Sequence, residues 1–161
     1  MNLPNPLLQD WTTPFGMPPF DAIEVGHFAP AFEAALRAGR AAIDRVAADP
    51  AAPTFANTIE AMERAERGLD RVAAVFFNLA GADTSDAIEA LQRDLSPKLA
   101  AHHAETMLNA PLFARIEDLA ARRDALGLTA EQDRVLTLYH RMFVRAGARL
   151  AGEDRARLKQ V

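Results

Sequence analysis

The sequence predicts an all-α fold of about five helices in an irregular bundle, preceded by an extended, proline-rich arm. Three observations carry this. Alanine fills 34 of 161 positions while β-branched residues are few, a balance that favours helix over strand. Apolar residues recur at helical spacing through several long runs. Five of the ten prolines fall before Phe20, at positions 4, 6, 14, 18 and 19, where they remove backbone donors and disfavour helix.

The arm is expected over residues 1–24, and a helical region over 25–161. Trp11, Phe15, Met17 and Phe20 lie in the arm, and the cost of hydrating large apolar groups predicts that it lies against the helices. A first helix is predicted from Phe28 to Asp49, with Pro30 in its first turn. Phe28, Phe32, Leu36, Gly39, Ile43 and Val46 share one side, and Glu33, Arg37, Arg40 and Asp44 the other. Asp49-Pro50 and Pro53 stop it.

A second helix is expected from Asn57 as cap, with Glu60 reaching back. Its first half is charged. Its second half, Val72–Ala80, holds one polar residue in nine, which predicts burial on all sides, in the domain centre or in an interface. Within it Phe76 and Phe77 read as core, and Asn78 as a buried amide tied to a neighbouring backbone. Thr84 or Ser85 caps a third helix with Ile88, Leu91, Leu95 and Leu99 in a stripe, which Pro97 is expected to kink or split. Asn109 and Pro111 open a helix over Leu112–Leu126 that Gly127 ends. Thr129 and Gln132 form a capping box for the next, with Val135, Leu138, Tyr139, Met142, Phe143 and Ala146 on its apolar face. Leu158 and Val161 read as the opening of a further helix, so the chain is expected to continue in a longer protein.

Composition restricts function. The net charge is −4, and no basic arm or stripe suits nucleic acid. The chain has no cysteine, so it has no disulfide, thiolate metal site or Cys nucleophile. The absence of an 18-residue apolar run or a leader-like N-terminus predicts a soluble, cytoplasmic protein without a membrane partner.

Motifs for chemistry are missing. A helical zinc-peptidase site needs two His at i and i+4 with a Glu after the first. His27, His102, His103 and His140 offer no such pair, no Glu follows any of them, and each reads as a histidine satisfied by hydrogen bonds. Ser85 and Ser96 sit in no nucleophile elbow. Gly147 and Gly152 have the outer spacing of a phosphate loop, but Glu153 stands where Lys is required. Glu60/Glu63 and Glu117/Asp118 read as solvated charge. No catalytic, cofactor-binding or metal-ligating residue is expected in the chain.

Five pieces in register resemble one family. Pro18-Pro-Phe-Asp through His27, Pro30 and Phe32 is similar to a "PPFD…I…H…PAL" opening, and Pro53-Thr-Phe-Ala-Asn57-Thr-Ile59 to "PTFENTI". Val75-Phe-Phe-Asn-Leu79, Leu95-Ser-Pro97 through His102, and Tyr139-His-Arg-Met-Phe-Val-Arg-Ala-Gly147 follow. Together they resemble the N-terminal region of the zinc oligopeptidases related to thimet oligopeptidase and oligopeptidase A, and most of all their bacterial peptidyl-dipeptidase branch. The resemblance implies a much longer, helical, two-lobed enzyme around a channel. Its zinc is held by H-E-x-x-H and a downstream Glu, and it releases C-terminal dipeptides from short peptides. This chain has no H-E-x-x-H, so none of those ligands can be placed on it and the zinc belongs to a missing region. The chain is then channel wall and scaffold, partnered by the remainder of its own polypeptide and inactive alone, with self-association of the fragment expected. Two rival readings are a free-standing helical interaction module and a segment of an oligopeptidase A-like endopeptidase.

Overall fold

The computed structural model describes residues 4–150, and these contain five α-helices, short 3-10 turns and no strand. The helices are α1 (Phe28–Ala47), α2 (Ala61–Ala82), α3 (Asp86–Met107), α4 (Ala110–Ala121) and α5 (Ala130–Arg145). The all-α expectation holds. The turns predicted around Leu158 and Val161 lie outside the described residues.

Two compact units divide the chain. One takes the described residues up to Gly39 together with Glu66–Ala100, and the other takes Arg40–Ala65 together with the described residues from Ala101.

The core of the first unit forms around Phe76. Its ring meets Phe28 and Phe32 edge-on, with centroids 5.1 and 5.5 Å away, the arrangement that ring quadrupoles favour. Ala31, Ala35, Val72, Val75, Ile88 and Leu95 close around them. The α1 stripe read from the sequence is the buried one, and two small alanines fill the gaps between its large residues. Leu7, fully buried, comes from the arm. Three polar contacts fasten the arm: Asn5 Nδ2 donates to the carbonyl of His27 at 2.7 Å, Arg71 Nη2 donates to that of Leu7 at 3.0 Å, and the Arg71 guanidinium lies 4.9 Å over the Trp11 ring. Trp11 and Ile23 also pack against this core, but the stretch between them departs from expectation. Phe15 is completely exposed, and Met17 and Phe20 are 53% and 44% exposed.

The second half of α2 also departs from expectation. Val72, Val75 and Phe76 are buried, but Phe77 is 42% exposed and Asn78 lies at the surface. A helix packed on one side buries a stripe whatever its composition, so Asn78 is not the buried amide tie and the half-exposed Phe77 meets the Phe76 ring edge-on.

The second unit packs Ile43, Val46, Ile59 and Met62 against Met107, Leu112, Phe113, Ile116, Leu119, Leu136 and Phe143. Phe113 stacks on Phe143 with the rings 12° from parallel. On α5 the buried positions are Leu136 and Phe143, seven apart, whereas Met142 is 44% exposed. Val135, Tyr139 and Ala146 of the predicted face pack against this core beside Phe143, so the face is as read except that Leu136 joins it and Met142 leaves it.

Helix boundaries follow local chemistry. Asn109 caps α4 by accepting from the Leu112 amide, and Thr129 with Gln132 forms the reciprocal box of α5. Ser85 Oγ accepts from the Ile88 amide, which settles Ser85 over Thr84. The helix expected to reach Leu126 ends at Ala121, followed by a 3-10 turn over Arg123–Ala125 and Gly127 at φ +62. Pro97 does not split α3, which runs through it unbroken. The cap of the second helix is Thr54, three residues earlier than expected. A wide π turn over Phe55–Glu60 leads into α2, and Asn57 is the reciprocal partner in the box.

Replacing Phe76 by Ala is expected to cost about 3–5 kcal/mol, since the ring is fully enclosed. Phe77→Ala is expected to cost under about 1 kcal/mol. Urea denaturation of the two variants measures the contrast.

Candidate functional site

The described concavity of the second unit is a cleft of about 470 Å³ along the C-terminal half of α1, the π turn and the start of α2. Ala42, Val46, Ala61 and Ala65 give it an apolar floor, and Arg45, Asp49, Asn57 and Arg64 a polar rim.

Its rim is built on Arg115. This side chain projects from the buried face of α4 and is only 7% exposed. Nη1 donates to the carbonyls of Asp49 and Ala51 at 2.7 and 3.0 Å. Nη2 donates to Asn57 Oδ1 at 3.0 Å and lies 3.4 Å from Asp49 Oδ2. Asn57 Oδ1 also accepts from the Thr54 amide and the Thr58 hydroxyl, while its Nδ2 donates to the Ala52 carbonyl. The polar rim is thus largely committed to holding the 48–57 loop. Arg64 is likewise engaged, with Glu60 and the Ala56 carbonyl. The cleft can receive a small polar group over an apolar floor, but it presents no nucleophile–base pair.

The sequence singled out no site residue, and the residues it weighed lie apart in structural roles. His27 Nδ1 accepts from the Glu24 amide at 3.0 Å as half of a capping box. His102 is buried on α3, His103 is exposed, and His140 stacks on Phe113. Ser96 Oγ donates to the Gln92 carbonyl. Glu60 pairs with Arg64, Glu63 accepts from the Tyr139 hydroxyl, Glu117 meets Arg149 at 3.0 Å, and Asp118 bonds Arg122. Asp118 raises the Arg122 pKa above its ordinary value, as Asp94 does for Lys98. Both are exposed surface pairs, without the burial that marks a tuned catalytic group.

The resemblance implies zinc, and the donor set here does not fit it. Among the described residues no three of His, Asp and Glu gather where they could hold a metal ion, and a catalytic zinc needs three protein ligands with one position open. Among the same residues no helix is long and apolar enough to cross a membrane.

No family model matches the chain. Individual proteins do. It is 42% identical over 155 residues to the dipeptidyl carboxypeptidase of Salmonella typhimurium (strain LT2), across 96% of this chain. By sequence, the chain is a relative of the dipeptidyl carboxypeptidases. The Escherichia coli (strain K12) protein of that name is 40% identical over 159 residues, across 99% of the chain. The chain spans 23% of the length of each of these two relatives.

Sequence reasoning missed Arg115, although the signal was there. It falls between Leu112, Ile116 and Leu119 on the apolar stripe of α4, and a guanidinium at such a position needs partners. Arg115→Ala strands the Asp49 and Ala51 carbonyls, removes one of the donors to Asn57 Oδ1, and is expected to destabilise the chain by about 2–4 kcal/mol. Arg115→Lys restores only part of this, since one ammonium cannot span the same acceptors. Equilibrium unfolding in urea checks both.

Proposed function

We propose that this chain is the N-terminal, non-catalytic helical portion of a zinc metallopeptidase that removes C-terminal dipeptides from short peptides. The observation that carries the reading is the 40–42% identity, over almost the whole chain, to proteins named dipeptidyl carboxypeptidase. That name describes cleavage of two residues from a peptide's carboxyl end, which requires a site that admits a free C-terminus.

In this reading the chain supplies wall and scaffold. Its five helices present charged outer faces and capped ends, and its buried side chains serve two apolar cores, as suits a rigid boundary. The zinc and its ligands belong to the remainder of the polypeptide, as does the water-activating carboxylate. Its partner is that remainder, short peptides are the substrates of the intact enzyme, and the enzyme is cytoplasmic.

The test compares the 161-residue chain with the full product of its gene, by metal analysis and a fluorogenic peptide assay. The chain alone is expected to bind no stoichiometric zinc and cleave nothing. The full product is expected to contain H-E-x-x-H and to release C-terminal dipeptides in a chelator-sensitive way. Chelator-sensitive turnover by the 161-residue chain would refute the non-catalytic assignment. A folded, zinc-loaded full product that cuts only internally would place it with the endopeptidases, and a reading frame closing at Val161 would favour an interaction module.

A further inference from the structure

Phe15 combines two unfavourable features that nothing nearby offsets. Its backbone is left-handed, at φ 60 and ψ 14, a region suited to Gly, Asn or Asp rather than a bulky side chain. Its ring is completely exposed. The turn that holds it is well built. The Gly16 amide donates to the Thr13 carbonyl at 3.0 Å, the Met17 amide to the Pro14 carbonyl at 3.3 Å, and the Thr13 hydroxyl to the Met17 carbonyl. Pro14, Pro18 and Pro19 further limit its freedom. Met17 and Phe20 add exposed apolar surface within five residues. A strained, preorganised turn that presents an aromatic ring has the form of a binding anchor.

We propose that the Thr13–Met17 turn is an anchor whose Phe15 ring seats in an apolar socket on the rest of the same polypeptide. This rests on the reading that the chain is part of a longer peptidase. The occupant follows from the comparisons. The matches take in 96% and 99% of the chain, so they run through this turn, yet more than three quarters of each relative lies outside them. The turn therefore belongs to a segment that relatives carry within a much longer chain, which favours a socket in that chain over one on a second copy.

Phe15→Gly separates the possibilities by sign. Glycine accepts positive φ without strain, so in an unoccupied turn the change is neutral or stabilising. In the 161-residue chain Phe15→Gly is expected to leave Tm unchanged or raise it. In the full gene product it is expected to lower Tm by about 2 °C or more, and Phe15→Leu, which keeps an apolar side chain, by less. Chymotryptic cleavage after Phe15 is expected to be at least about tenfold slower in the full product than in the 161-residue chain. An active full-length peptidase in which Phe15→Gly does not lower Tm and Phe15 is cleaved equally fast would overturn the anchor. So would a 161-residue chain whose self-association is lost on Phe15→Gly while the full product is unaffected, since the socket would then be on a second copy. A full product that releases no C-terminal dipeptides, in which Phe15→Gly still lowers Tm, would sink the peptidase reading and leave the anchor standing. A gene product ending at Val161 would remove both.

Discussion

The loop joining α1 to the second helix cannot satisfy its own backbone, and the second unit is organised around that fact. Pro50 and Pro53 take away two donors and hold the segment extended. The carbonyls of Asp49, Ala51, Ala52 and Pro53 all accept from side chains instead: two from Arg115, one from Asn57 and one from Arg122. A planar guanidinium offers several donors in fixed directions, so a single Arg can bridge acceptors on both sides of a loop. Asn57 extends the arrangement to Thr54 and thereby fixes where the second helix begins. The cleft beside it owes its polar rim to the same bonds.

The two cores are built differently. In the first unit, aromatic edges meet around Phe76 and small alanines of α1 let the rings approach. In the second, parallel stacking of Phe113 and Phe143 sits among leucines and isoleucines. Neither core encloses a cluster of titratable groups, and ion pairs such as Arg40–Glu105, Glu60–Arg64, Asp94–Lys98 and Glu117–Arg149 lie at the surface, where each contributes little to stability.

Much of this was legible in the sequence because it depends on periodicity and short-range chemistry. The α1 stripe, the Asn109 cap and the Thr129 box each need only a few consecutive residues to be recognised. The errors arose where tertiary context decides. Composition suggested that Val72–Ala80 would be surrounded, yet the described helix packs on one side only, which leaves Phe77 and Asn78 at the surface. Apolar residues in the arm suggest contact throughout, but Leu7, Trp11 and Ile23 pack on the helices while Phe15, Met17 and Phe20 are exposed. Pro97 suggested a break, but one missing donor did not end α3. Asn57 was recognised as a capping residue and assigned the wrong half of the box, since Thr54 and Asn57 can each fill either role by residue type alone. The candidate cleft was not legible at all, because its rim depends on Arg115, 58 positions from Asn57.

The wide turn over Phe55–Glu60 gives the chain a length allowance. A π turn spans one more residue per hydrogen-bonded loop than an α turn, so this segment stores a spare residue just ahead of α2. Deleting one residue from an ordinary helix start would rotate everything downstream by about 100° relative to what precedes it. Here the same deletion can be absorbed by tightening the turn, with Met62, Leu69 and Phe76 kept on their buried side. The segment is therefore where a one-residue change in chain length can be accommodated without repacking either core.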